Sequence, residues 1–241
     1  MKCLLIAVLA SVPILLAVGQ LPHASIERLS TARDIQLAKA DVEYIDIWNL
    51  SIKDYPLLAK FTRVKAIVLS CQEGTFATDE KLMALAALDL TNVTAIPMVN
   101  CRLITDKGIR ALARIQSLKV LQLEGTAITD ISCDVMSAQM RLTGVDVANC
   151  NGVTLKGLKA LISSSTLNGM SFSSDILTQE EVLDLVASFK NVTRCAIVDP
   201  QGKLDADAMK KMGTERRVFI DVRRGGALQE SYGITNGIPM R

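Results

Sequence analysis

The chain has 241 residues, 49% of them hydrophobic, enough apolar material for a substantial core in one or two domains, and this excludes a disordered or fibrous chain. Twenty-seven Lys and Arg nearly balance 25 Asp and Glu, so no strong field draws the molecule to nucleic acid or anionic lipid.

From the N-terminus, Met1-Lys2 precedes an apolar run from Cys3 to Val18, and small residues at Ala17 and Gly19 stand ahead of Gln20. This predicts a secretory signal over residues 1–19 and an exported protein, secreted or periplasmic. The run of 16 residues is shorter than the roughly 20 that span a bilayer, so no further membrane contact is expected; cleavage and retention as an anchor both stay open. Residues 20–41 hold an N-terminal capping element, read as an amphipathic helix over 25–41 with Ile26, Leu29, Ile35 and Leu37 apolar and Ser25 or Thr31 as its N-cap.

Val42, Ile45 and Ile47 open a pattern with apolar residues at relative positions 1, 4 and 6. It returns at Val64/Ile67/Leu69, Val93/Ile96/Met98, Leu118/Leu121/Leu123, Leu142/Val145/Val147, Leu167/Met170/Phe172 and Val192/Cys195/Ile197, and in degenerate form at Arg217/Ile220/Val222. The intervals are 22, 29, 25, 24, 25, 25 and 25 residues. A fixed period of this size marks a solenoid, whose units bury their apolar faces only by stacking on neighbours. After each triplet the chain turns and takes helical periodicity, as in Ile109/Leu112/Ala113 and Val182/Leu185/Val186. Thr105, Thr129, Thr154 and Thr178 precede these stretches, the last in a Thr-x-x-Glu181 capping box, and read as helix caps. Strand, turn and helix in repetition predict an α/β fold over residues 42–225, with a parallel sheet on one face and helices on the other. Residues 226–241 are a C-terminal cap or a flexible tail.

Two segments carry a resemblance. Cys101-Arg-Leu-Ile104-Thr105-Asp106-Lys-Gly108-Ile109 and Cys150-Asn-Gly-Val153-Thr154-x-x-Gly157-Leu158, each following a strand pattern, resemble leucine-rich repeats of the cysteine-containing, ribonuclease-inhibitor-like subtype. The resemblance covers roughly residues 42–225. It implies a right-handed horseshoe of about eight repeats, with strands lining the concave face and helices the convex one. Departures are the poor first and last repeats, extra residues around Gln72 to Thr75, and residues 131–141, which lack the Gly-Ile helix start.

Candidate chemistry is sparse. His23 is the single histidine and lies near the predicted cleavage region, so no Ser-His-Asp or Cys-His set assembles, and no metal or cofactor is expected. In the repeat frame Cys101, Cys150 and Cys195 point inward as structural groups; the disulfide state of Cys71 and Cys133 stays open. Glu124 and Asp146, on adjacent strands about 4.8 Å apart, form the one pair with enzyme-like spacing, set against a reading as two solvated carboxylates on an open surface.

Side chains alternate along a strand, so positions 3, 5 and 7 are expected to face the concave solvent side. The candidates for binding a protein partner there are Tyr44, Asp46, Trp48, Val68, Pro97, Val120, Gln122, Glu124, Asp146, Arg194, Phe219, Asp221 and Arg223. Pro97 is awkward in a central strand because it lacks a donor. The leading expectation is an exported, non-enzymatic recognition or scaffold module. The alternatives are a glycan-active or hydrolytic enzyme using Glu124 and Asp146, and an intracellular ubiquitin-ligase-type adaptor.

Overall fold

The computed structural model describes residues 26–69 and 77–224, with the backbone of strands between 227 and 239. The predicted signal, His23, Ser25, Cys71 and the extra residues Gln72 to Thr75 lie outside the described residues.

Units repeat as strand then helix. The strands are β1 (Glu27–Leu29), β2 (Tyr44–Ile47), β3 (Ala66–Leu69), β4 (Ala95–Pro97), β5 (Val120–Gln122), β6 (Gly144–Asp146), β7 (Gly169–Ser173), β8 (Arg194–Val198) and β9 (Phe219–Arg224). They pair in sequence order, all parallel, and β10 (Ala227–Tyr232) adds antiparallel to β9 to complete one sheet of ten strands. The helices are α1 (Ala32–Leu37), α2 (Asp79–Ala86), α3 (Asp106–Leu112), α4 (Asp130–Gln139), α5 (Leu155–Ile162), α6 (Gln179–Ala187) and α7 (Ala206–Arg216). A 3-10 helix, Ile52–Lys60, takes the helical place after β2 and carries Pro56 within it.

The apolar triplets do what their spacing predicts. Leu118, Leu121 and Leu123 are 0 to 1% exposed, and the equivalent residues of the other units join them in one continuous core between sheet and helices, with Val42 partly buried against it and the degenerate Arg217 exposed. At about 1.5–3 kcal/mol for each fully buried aliphatic side chain, this layer is the main source of stability. The N-terminal segment departs from the expected helix over 25–41. Residues 27–29 are a strand, and Thr31 starts a helix of six residues through a capping box with Asp34. Leu29 is fully buried at the sheet edge because β1 pairs in register with β2, Glu27 opposite Ile45 and Leu29 opposite Ile47. Pairing with an open sheet edge outweighed helical periodicity in so short a segment.

Thr78, Thr105, Thr129, Thr154 and Thr178 are N-caps, each accepting a backbone N–H with its hydroxyl. A second layer of capping runs between units. Asp79 accepts from the N–H and hydroxyl of Thr105 at 2.9 and 2.6 Å and from the Gly108 N–H at 3.0 Å. Asp106 does the same for Thr129 and Ser132, and Asp130 for Thr154 and Gly157. Each aspartate therefore caps the helix of the following unit, satisfying donors that its own helix cannot. A β-carbon at Gly108 would stand 2.5 Å from Asp79 Oδ1, which explains the glycine. The unit that lacks it carries Ser132, whose hydroxyl donates to Asp106 Oδ1 at 2.5 Å. The departure seen at residues 131–141 is thus a variant of the same contact, and α4 is a full helix.

Strand β4 also accounts for Pro97. Amides at position 3 reach back one unit, as from Ala95 to Lys65 O at 3.2 Å, whereas those at position 6 reach forward, as from Met98 to Gln122 O at 2.8 Å. Position 5 shares the direction of position 3, so the donor that Pro97 lacks would have served β3. The β3–β4 ladder shrinks to the single pair Ala66 opposite Ala95, while β4 and β5 pair at three positions through Pro97 opposite Gln122.

Candidate functional site

Register aligns the concave side chains into rows. Position 5 runs from Pro97 through Gln122, Asp146, Ser171 and Ala196 to Asp221 on consecutive strands, with neighbours about 4.8 Å apart. Position 3 runs from Tyr44 through Ala66 toward Val120, Gly144 and Gly169.

Alternation places the candidates on one face as expected, but solvent does not meet them as expected. Tyr44, Asp46, Val68, Pro97, Val120, Gln122, Asp146, Asp221 and Arg223 are buried. Trp48, Glu124 and Phe219 are half-buried, and Arg194 is exposed. Part of the reason is visible at the N-terminal end, where Tyr44 packs with Ala66, Ala95 and Val120, and Ile26 lies against them. Small residues on the inside of a curved sheet leave room that a large neighbour fills, and the apolar patch becomes a second small core.

Asp46 and Trp48 are engaged by β1. Arg28 Nε sits 3.0 Å from Asp46 Oδ2, and the same guanidinium stacks 4.9 Å from the centre of the Trp48 ring. Trp48 also donates its backbone N–H to Leu29 O at 2.9 Å. This end of the face is a packed junction with the preceding strand.

The centre is polar. Asp146 is 1% exposed; its Oδ1 accepts the Ala148 N–H at 3.0 Å, and its Oδ2 has no hydrogen-bond partner. Both polar atoms of the Gln122 carboxamide, on the strand before, are buried and unpartnered. Ser171, on the strand after, lies close enough to favour the Asp146 charge but outside hydrogen-bonding geometry. At the rim, Glu124 Oε1 accepts from Asn149 Nδ2 at 2.9 Å, and the Ser173 hydroxyl donates to Asn149 Oδ1 at 3.1 Å. Burial pushes the Glu124 carboxyl above its usual range, the charge of Asp146 adds to this, and Asn149 and Arg223 oppose it. Burial likewise raises Asp146, opposed by the Ala148 amide, Ser171 and Arg223. Asp146 is fully desolvated and Glu124 partly so, which departs from two solvated carboxylates on an open surface.

No protein-family model matches the chain, and no curated protein does. Among solved structures, the leucine-rich repeat-containing protein LegL7 from Legionella pneumophila superposes with a TM-score of 0.53 at 16% identity, over 75% of this chain and 66% of its own. The fold is a leucine-rich-repeat solenoid. The Rad7 and Elc1 complex in yeast aligns at 9% identity over 83% of this chain and 80% of that one, with a TM-score of 0.27 too low to bear on the fold.

Within the leucine-rich-repeat frame, the position after the rim is structural. Asn49, Asn100, Gly125 and Asn149 all have positive φ, from 48° to 70°, a conformation that glycine and asparagine adopt at least cost. Asn149 thus joins a backbone duty to the orientation of Glu124, a role the sequence reading did not assign. Its signal, Asn or Gly at position 8 of four units, was legible.

The inward cysteines are core groups. Cys150 donates its thiol to Leu123 O at 3.0 Å, and burial pushes it up to about pKa 11, which keeps it protonated. Thr126 fills the equivalent place one unit earlier and donates to the same carbonyl at 2.7 Å. Cys133, Cys150 and Cys195 are buried free thiols. Cys101 is disulfide-bonded. Among the described residues, no group of three or more His, Cys, Asp or Glu could hold a metal ion, and no helix is long and apolar enough to cross a membrane.

Proposed function

We propose that the protein is an exported, non-enzymatic interaction module that binds a protein partner through the concave face of its repeats. The observation that carries this reading is the central polar row, where Gln122 and Asp146 hold buried atoms without partners beside the half-exposed rim residue Glu124. Buried polar groups in a folded protein are rarely left unsatisfied, so such a row has capacity for a bound group. Affinity capture from the native compartment tests it: wild type retains a partner that Glu124→Trp, which blocks the rim, and Arg194→Ala lose. Unchanged capture by both variants would remove the concave face from consideration.

Export is supported by the N-terminal apolar run and by the disulfide at Cys101, a bond that persists in oxidising compartments. N-terminal sequencing of the native protein is the test; a start near Gln20 supports export, and an intact cytosolic Met1 favours the intracellular adaptor reading. The cysteine-containing subtype is supported by Cys150 and Cys101 at the same place in their turns, both buried.

A second reading, hydrolysis of a glycan by Glu124 and Asp146, draws on one observation: burial raises both carboxyls, as a general acid requires. Screening against polysaccharides with wild type and Glu124→Gln decides it, since equal turnover by the two would sink it.

A further inference from the structure

Resting on the concave-face reading, we infer that the centre of that face is a pocket for a basic side chain of the partner, arginine before lysine, held between Gln122 and Asp146 and entered over Glu124. Three features of the arrangement specify this ligand. The first is what remains unsatisfied. Asp146 Oδ1 is committed to the Ala148 amide while Oδ2 is buried without a partner, and both the oxygen and the nitrogen of the Gln122 carboxamide, one strand away in register, are in the same state, the oxygen being the second acceptor. Two acceptors on neighbouring strands, about 4.8 Å apart at the backbone, suit the planar fork of a guanidinium, which presents donors in two directions at once.

The second feature is charge. Gln122 stands opposite Asp146, so Glu124, two residues further on, brings its carboxyl to the same part of the face, where the Asp146 charge acts on it and Arg223 favours the charged form of both. Two carboxylates against one guanidinium leave a net demand for positive charge, and a second cation relieves the repulsion that burial makes expensive. Arg223 is held in the sheet on β9, and its presence favours a singly charged, hydrogen-bonding cation over a divalent metal ion.

The third feature is access and orientation. Glu124 is half-buried and stands at the rim, so it faces both solvent and the row behind it. Asn149 fixes Glu124 through Oε1, and Ser173 in turn fixes Asn149. Asn149 is itself locked by its left-handed backbone at φ 55°, so the entrance is preorganised by a turn that the repeat builds for its own reasons.

The test is titration of the full chain, followed through the side-chain carboxamide resonances of Gln122. The probes are a capped Gly-Arg-Gly peptide, its citrulline analogue, in which the guanidinium is replaced by a neutral urea of the same shape, and calcium chloride. The arginine peptide is expected to shift the Gln122 signals saturably. The citrulline peptide should bind about tenfold more weakly or worse, the loss that follows from removing a charge-assisted hydrogen bond. Asp146→Asn and Glu124→Gln should each weaken the arginine peptide by a similar factor while leaving citrulline unchanged. Glu124, half-exposed, supplies a variant that folds even if the buried one does not.

Equal binding of the two peptides, no response at Gln122, or saturation by calcium in place of arginine would each overturn the proposal. Partner capture separates this failure from that of the parent reading. Capture lost in Glu124→Trp but kept in Glu124→Gln leaves a concave-face module without a cation pocket. Capture kept in both, and in Arg194→Ala, removes the parent reading as well.

Discussion

A β-carbon at Gly157 would collide with Oδ1 of Asp130, the atom that receives the Gly157 amide. Gly157→Ala is therefore expected to destabilise the protein by about 1–3 kcal/mol, in contrast to the stabilisation that Gly to Ala gives in an open helix, and urea denaturation measures the sign. Asp146 makes the opposite case. Its folded-state carboxyl is held above the usual range by burial, so the fold is favoured below the unfolded-state pKa and loses that advantage as pH rises through the folded one. Asp146→Asn should raise the urea midpoint at neutral pH, with the gain vanishing toward acid. A midpoint that falls at neutral pH would show that the charge is needed for folding. From sequence, Gly157 was legible as part of a motif and Asp146 as a concave residue. What each touches was not: Gly157 meets Asp130 of the preceding unit, and Asp146, though it accepts from Ala148 of its own unit, lies between Gln122 and Ser171 of the units on either side.

At the scale of the element, helix starts are coupled between units. Asp130 lies in the first turn of α4 but receives the Thr154 amide at 2.7 Å and the Thr154 hydroxyl at 2.7 Å at the start of α5. Asp130→Ala is expected to cost about 1–2 kcal/mol, the range for losing a cap, and to speed hydrogen exchange in the first turn of α5 more than in α4. Faster exchange confined to α4 would show that the aspartate serves its own helix. Asp106 adds a pH signature. Burial acts to raise its carboxyl, but hydrogen bonds from Ser132 and Thr129 prevail and hold it below the usual range. Its contribution is present above the unfolded-state pKa and is lost as pH falls through the folded one, so Asp106→Asn should flatten the acid limb of a stability profile. The Thr-Asp pairs were readable as helix starts. Their aspartates cap across units because parallel stacking sets each first turn beside the next.

At the scale of the molecule, the solenoid is quasi-one-dimensional, each unit held by its neighbours, and the core runs unbroken through the stack. Leu121 is 0% exposed at its centre, and Leu121→Ala is expected to cost about 2–5 kcal/mol. The single tryptophan, Trp48, stands in the first repeat and reports that end by fluorescence, while far-ultraviolet circular dichroism reports the whole. If the units unfold as one, both probes shift together in the variant; a tryptophan transition that stays in place would show that the end folds on its own. The repeat period, the inward triplets and the cap threonines were determined by sequence alone, because they depend on spacing along the chain and on the local chemistry of single residues. Only the tertiary structure decided that β1 is a strand and not a helix, that Pro97 costs its ladder bond to β3, and that most of the concave face is buried. Each depends on what lies beside a residue one unit away, and alternation along a strand tells which way a side chain points without telling what it meets there.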